Sequence, residues 1–302
     1  MRVALVAAIV LALSGASASA LRLPSAPGCP IFPASNPWNE RVDSLPVAAD
    51  SATLIASIGL GSPVHADFGS GLWDGAPIGI PFDVVSRKTA RVHVSFDYAD
   101  ESDRVPYPIP RGVPIEGGGD RHALLVDRSS CRLYELYALH RVGSGWHAGS
   151  GATWNLRSNA LRPAGWTSAD AAGLPIFPGL ARWDEVRRGT IDHALRFTAP
   201  RTRRAYVYPA RHFASDSNDA SLPPMGLRVR LKASVDTSQF PPQARVVLVA
   251  LKRYGMILAD NGSPWYVSGA PDSHWSNDQL HTLGRLHGSD FEVVDTSSLP
   301  HP

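Results

Sequence analysis

The sequence predicts a β-dominated fold, a sandwich or jelly roll with a few peripheral helices, and three observations carry that expectation. Runs of period-two alternation recur along the chain, Gly and Pro punctuate it every few residues between Gly59 and Gly119, and only four segments read as helix. An α+β layout, with one buried helix on an antiparallel sheet, is the alternative. No repeat of roughly 20 to 50 residues recurs, which sets aside solenoids and propellers.

Residues 1–20 carry one charge at Arg2, an apolar run over 3–13 and a string of small residues over 14–20. This is the layout of a cleavable secretory signal, and the apolar run is about half of the roughly 20 residues that a membrane span requires. The expectation is an exported chain in which residues 21–302 form one globular domain. Asp50 is placed to cap a helix over 51–58 that Gly59 stops. Over 91–98, Val92, Val94, Phe96 and Tyr98 share one face of a strand, with Arg91, His93, Ser95 and Asp97 on the other. Residues 121–127 and 132–139 flank Arg128-Ser-Ser-Cys131 and read as a hairpin. A second helix over 179–188 ends at Gly189, and strands follow at 191–198, 204–208 and 227–233. Pro241 and Pro242 open a third helix where a missing N–H costs nothing. Gly255 closes it, and its apolar 246–251 stretch predicts burial against a sheet. A fourth helix over 277–283 and a strand over 291–295 complete the reading.

The composition is 44% hydrophobic and 19% charged with a formal net charge of +2, which excludes a disordered chain and a coiled coil. Only Lys88, Lys232 and Lys252 are lysines, so no flexible polybasic tail exists, and attraction to nucleic acid is not expected. No segment after the leader is long and apolar enough to span a membrane. Cys29 and Cys131 are the two cysteines. In an oxidising compartment they are expected to pair, and no Cys-x-x-Cys or Cys/His spacing supports a catalytic or metal-binding thiol.

Standard catalytic motifs are absent: there is no Gly-x-Ser-x-Gly, phosphate loop, dinucleotide fingerprint or His-Glu-x-x-His. Three subtler signals remain. In residues 226–233, Leu227, Val229 and Leu231 face the core, which puts Arg228, Arg230 and Lys232 on the other face, and Arg196 projects similarly from its own strand. Such a row is either a solvated face with salt bridges or a surface for an acidic polymer. Tyr206 and Tyr208 share a face, and Trp146, Trp154, Trp166, Trp183, Trp265 and Trp275 mostly neighbour polar loop residues, as sugar-stacking or core-anchoring rings would. Finally, Glu135 lies mid-strand between apolar residues, where desolvation would keep a proton on it for a glycosidic oxygen. Its partner would be Glu116 or Asp170, and the competing reading is a strand carboxylate paired with an arginine.

Among the histidines, His193 reads as a hydrogen-bonded core residue, while His65, His122 and His212 sit near acidic or basic neighbours without metal-ligand spacing. No cofactor is expected. The acidic loop of Asp97, Asp100, Glu101 and Asp103 could hold structural calcium, although it lacks the regular alternation of a calcium loop.

The strings Asn36-Pro-Trp-Asn39, Leu161-Arg-Pro-Ala-Gly-Trp-Thr-Ser-Ala-Asp-Ala-Ala-Gly-Leu-Pro175 and Gly255-Met-Ile-Leu-Ala-Asp-Asn-Gly262 resemble those of a family of secreted bacterial proteins of uncharacterised function. The resemblance runs over nearly the whole mature chain and implies one undivided secreted domain, with no activity attached. The functional expectation is a secreted carbohydrate-active enzyme that cleaves a polysaccharide by acid/base catalysis. Glu135, Glu116 and Asp170 are the candidate catalytic residues; Trp166, Tyr206, Tyr208, Arg196, Arg228 and Arg230 are the candidate substrate contacts. Two alternatives are a lyase, in which the arginines neutralise a uronate while His93 or a tyrosine abstracts its proton, and a non-catalytic glycan-binding protein.

Overall fold

The computed structural model describes residues 20–300, so the expected signal peptide lies outside the described residues except for Ala20. Among the described residues, strands hold 25% and helices 17%, the sheet-rich, helix-poor balance that the alternation predicts.

The larger sheet has six strands in the order His65–Asp67, Tyr266–Ser268, Leu195–Ala199, Met256–Asn261, Arg228–Leu231, Phe291–Val293. The first pair and the central Leu195–Ala199/Met256–Asn261 pair are parallel, and the other neighbours are antiparallel. Alternation sends Leu195, Phe197, Val229, Leu231, Leu258 and Val267 to one face, where they form a common core with Val247, Leu248 and Leu251 of the helix Pro242–Arg253. That helix matches its expected bounds, with Pro242 in its first turn. Val246 and Val249 stay half-buried, so its apolar stretch is not wholly enclosed.

The smaller sheet runs Ser150–Asn155, Arg132–Tyr137, Ala123–Asp127, Phe82–Val85. Its central hairpin is the one predicted, in a register that sets Glu135 between Leu124 and Ala152. One face carries Leu124, Val126, Leu133 and Trp154 into a core with Phe177 and the Cys29–Cys131 disulfide, whose Cα atoms are 5.2 Å apart. The other face packs Leu125, Tyr134 and Leu136 against Tyr107 and Ile109, beside a three-stranded sheet of Val94–Phe96, Gly145–Ala148 and His140–Val142. The disulfide indicates a non-cytoplasmic, oxidising environment, and no helix among the described residues is long and apolar enough to cross a membrane.

Neither principal sheet closes, and each contains at least one parallel pair, which departs from an antiparallel jelly roll. The buried helix of the alternative layout is present, but on a mixed sheet. Residues 204–208 form no strand: Tyr206 makes one bridge to Met225, and the opposing Pro223 and Pro224 supply no N–H to extend it. The expected 179–188 helix divides into a 3₁₀ turn, Phe177–Gly179, and a short helix, Trp183–Arg188, that Gly189 ends in a left-handed conformation.

The N-terminal and C-terminal segments meet at one edge of the larger sheet. Val47 bridges Val294, the Ala48 N–H donates to the Val293 carbonyl, and the Val293 N–H donates to Ser51 Oγ at 2.9 Å.

Candidate active site

The face of the larger sheet turned away from the helix Pro242–Arg253 is where the chemistry collects. Arg196 alternates with the core residues Leu195 and Phe197, so its side chain leaves the opposite face between two neighbouring strands. Its Nε and Nη2 donate to the two oxygens of Asp170 at 2.8 and 2.7 Å, and its Nη1 donates to Ser268 Oγ at 2.8 Å. Nη2 also reaches Asp260 Oδ2 at 3.3 Å. Burial alone would push the Arg196 guanidinium down; the charge and hydrogen bonds of Asp170 outweigh it and push it up.

Asp260 is the partner that solvent can reach, with 26% of its side chain exposed against none for Asp170. Burial and the neighbouring Asp170 charge raise its carboxyl to about 7, against the opposing pull of Arg196 and His122. Asp67, whose strand register places it beside Ser268, is also raised, first by desolvation and then by the charge of Glu116. Glu116 comes from the smaller sheet's side, on the loop entering the Ala123–Asp127 strand. Its Oε2 lies 2.5 Å from His122 Nδ1, and the other ring nitrogen lies 2.9 Å from the Ala169 carbonyl. Burial would lower His122, but the hydrogen bond and charge of Glu116 hold it up at about 9. Asp120 and Tyr137 complete the mouth, with the Tyr137 and His122 rings 5.8 Å apart. Two residues before Asp67 and Ser268, about 7 Å along their strands, His65 and Tyr266 stack with centroids 4.3 Å apart at the wall of a 630 Å³ groove.

The structure brings the three expected catalytic carboxylates within electrostatic reach of one another around His122 and Arg196, but seals Glu135 from solvent. Glu135 has no exposed surface, and both its oxygens accept backbone N–H groups, from Ile176 at 2.9 Å and Phe177 at 2.8 Å. Burial raises its carboxyl to about 8 despite those bonds, as the sequence predicts, but no sugar ring reaches it there. Glu135 fastens residues 170–177 to the smaller sheet, while Asp170 fastens the same segment to the larger one.

The arginine row is not the open anion-binding surface of one reading. The salt bridges of the other are present, Arg230 with Glu292 across neighbouring strands and Arg196 with Asp170, but the face is covered by protein rather than solvated. Arg228 is buried and donates to the carbonyls of Pro37, Glu40 and Tyr254, and Arg230 donates to Glu292 and to the carbonyls of Val42 and Leu45. Together they hold the N-terminal segment on the sheet and form no anion-binding surface with Arg196. Trp166 is half-buried in a separate hollow with Asp103 and Thr153, its ring 5.5 Å from the Arg162 guanidinium carbon. Tyr206 and Tyr208 are half-buried on the loop after the Leu195–Ala199 strand, with Tyr206 packed against the core of the larger sheet. Trp154, Trp265 and Trp275 are core anchors. His193 is the hydrogen-bonded core residue expected, held by Glu185.

No protein-family model, curated protein or solved structure matches the chain.

The geometry therefore carries the functional reading. Asp67, Asp260 and Ser268 escaped the sequence reasoning. Period-two spacing on their strands could have placed Asp67 and Ser268, whereas Asp260, two residues after the core residue Leu258, meets Arg196 at a register shift that alternation does not announce. In the acidic loop, Asp97 meets His147, Asp100 meets Arg104 and Asp103 meets Arg162, so protein partners occupy the carboxylates suggested for calcium. Among the described residues, no group of three or more His, Cys, Asp or Glu side chains has a metal-binding arrangement.

Proposed function

We propose that the protein is an exported hydrolase of glycosidic bonds in an uncharged polysaccharide, with Asp260 as general acid and Glu116 as the carboxylate opposite it. The observation that carries this reading is Asp260: a solvent-reachable carboxyl raised to about 7 within a cluster of carboxylates. A carboxyl so placed holds a proton near neutral pH and can give it to the leaving oxygen of a glycoside as the C–O bond breaks. Glu116, oriented by His122, is the group to assist attack on the anomeric carbon, directly or through a water whose proton it takes. The Asp170–Arg196 pair positions Asp260 and sets its proton affinity. The His65–Tyr266 stack offers an aromatic plate for a sugar ring beside these groups.

An uncharged substrate is the better match, since the two cations of the cluster, Arg196 and His122, are already paired with Asp170 and Glu116 and leave no free cation to receive a uronate. The lyase alternative loses its warrant for the same reason, together with the engagement of Arg228 and Arg230 elsewhere. The test is release of reducing ends from a panel of neutral polysaccharides by purified protein. Activity that falls at least a hundredfold in both Asp260→Asn and Glu116→Gln supports the assignment; full activity in either refutes it. Saturable binding without reducing ends selects the non-catalytic glycan-binding reading, which the aromatic plate alone would satisfy.

A further inference from the structure

A second cavity, of 540 Å³, opens at the seam between the sheets, between the Trp183–Arg188 helix, the edge residue Phe82 and the turn after Ser268. None of the carboxylates of the acidic mouth lines it. Its volume falls within the roughly 300–1,000 Å³ of small-molecule sites. Trp183, half-buried, and His274, exposed, stack within it at 6° with centroids 5.5 Å apart, and Trp275 braces Trp183 edge-on from behind. The polar lining is balanced in charge: Arg182 and Arg187 against Asp184 and Asp272.

One lining group is unfinished. Arg182 is 2% exposed; its Nη atoms bond to Glu185 and to the carbonyls of Phe177 and Leu180, but its Nε–H has no hydrogen-bond partner, the nearest Asp184 oxygen being 3.7 Å away. A buried donor without an acceptor costs about 1–3 kcal/mol, and an acceptor entering the cavity would recover it. Exposed Arg187 forms no hydrogen bond or ion pair with the described residues. An apolar ligand would leave both donors unmet, whereas an ionic ligand would upset the balance of two cations and two carboxylates. Aromatic plates flanked by paired donors and acceptors match a molecule with apolar ring faces and a hydroxyl rim.

We infer that this cavity is a second binding site, for one or two neutral pyranose units of a glycan chain, separate from the acidic mouth and independent of whether that mouth is catalytic. Its aromatic floor is Trp183 and His274, and Arg182, Arg187, Asp184 and Asp272 contact the hydroxyls.

The test is calorimetric and tryptophan-fluorescence titration of the full chain with cellohexaose, xylohexaose, maltohexaose and chitohexaose, with a galacturonate hexamer for comparison. Saturable binding to at least one neutral oligosaccharide is expected. It should weaken at least fivefold in Arg187→Ala and in His274→Ala, which alter exposed side chains and leave folding intact, vanish in Trp183→Ala, and survive in Glu116→Gln. Absence of saturable binding to every neutral oligosaccharide, unchanged affinity in both Arg187→Ala and His274→Ala, tighter binding of the galacturonate hexamer, or loss of binding in Glu116→Gln would each overturn the inference.

Discussion

Replacing Asp170 by Asn tests the pair on which the acidic mouth rests. The substitution preserves shape but turns an amide NH₂ toward a guanidinium N–H, so at least one of the bonds at 2.7 and 2.8 Å is lost along with the charge. Removing one partner of a buried ion pair costs about 3–5 kcal/mol. Arg196 keeps Ser268 Oγ and has Asp260 at 3.3 Å, which places the expected cost near the lower end, about 3 kcal/mol. At roughly 2 °C per kcal/mol for a chain of this size, the melting temperature should fall by about 6 °C. The second readout is Asp260. Burial and then the Asp170 charge raise its carboxyl to about 7, so Asp170→Asn should move the Asp260 midpoint downward in a carboxyl-carbon NMR titration. A melting temperature within about 2 °C of wild type at pH 7, or an Asp260 midpoint unchanged or raised, would refute the account of this pair.

Glu135→Gln sets an amide donor against the Ile176 and Phe177 N–H groups and should cost about 1.5–3 kcal/mol, read as a lowered denaturation midpoint, while any glycosidase activity is retained. Asp260 is raised on folding, so its contribution to stability is full below the ordinary carboxylate range and lost as pH rises toward about 7. That loss is at most about 4 kcal/mol, and Asp260→Asn should flatten the wild-type decline in melting temperature between pH 4 and 7; an equal decline in the variant would exclude Asp260 as its source. Arg228→Leu strips donors from three carbonyls, and faster proteolytic cutting within residues 33–45 is expected, with a loss of about 3 kcal/mol in stability. Reduction of Cys29–Cys131 reopens a loop spanning 102 positions, worth about 4–5 kcal/mol on the chain-entropy model; unchanged unfolding in the presence of reductant would contradict that.

What the sequence disclosed was local. Gly189 and the Pro241-Pro242 pair end or begin helices through backbone rules that need no tertiary context, and the Arg128–Cys131 turn fixes the hairpin around it. The cysteine pairing followed from arithmetic. What stayed hidden depends on which sheet covers which face. Alternation correctly put Arg228 and Arg230 opposite Leu227 and Val229, but the covering segment, residues 37–45, has no periodic pattern to announce itself. Trp154, Trp265 and Trp275 sit beside polar neighbours in sequence while their rings reach the core, since a ring of that size extends past its own backbone environment. Glu135 shows the same limit from the other side: its burial was legible, whereas the Ile176 and Phe177 N–H groups that occupy it arrive from a loop about forty residues later.

The junction of Val47, Ala48 and Ser51 with Val293 and Val294 sets an order of events for a chain made from one end to the other. The hydrogen bond from the Val293 N–H to Ser51 Oγ spans 242 positions, and Arg228 and Arg230 hold residues 37–45 from nearly as far. During synthesis, residues 37–45 therefore have no dock until residues 194–253 have been made, and residues 47–51 wait for Val293 and Val294. Contacts of such long separation close slowly. An emerging chain keeps residues 37–51 loose for most of its synthesis, a condition in which that stretch can still be threaded through a narrow pore, and the edge locks only when Val293 and Val294 arrive.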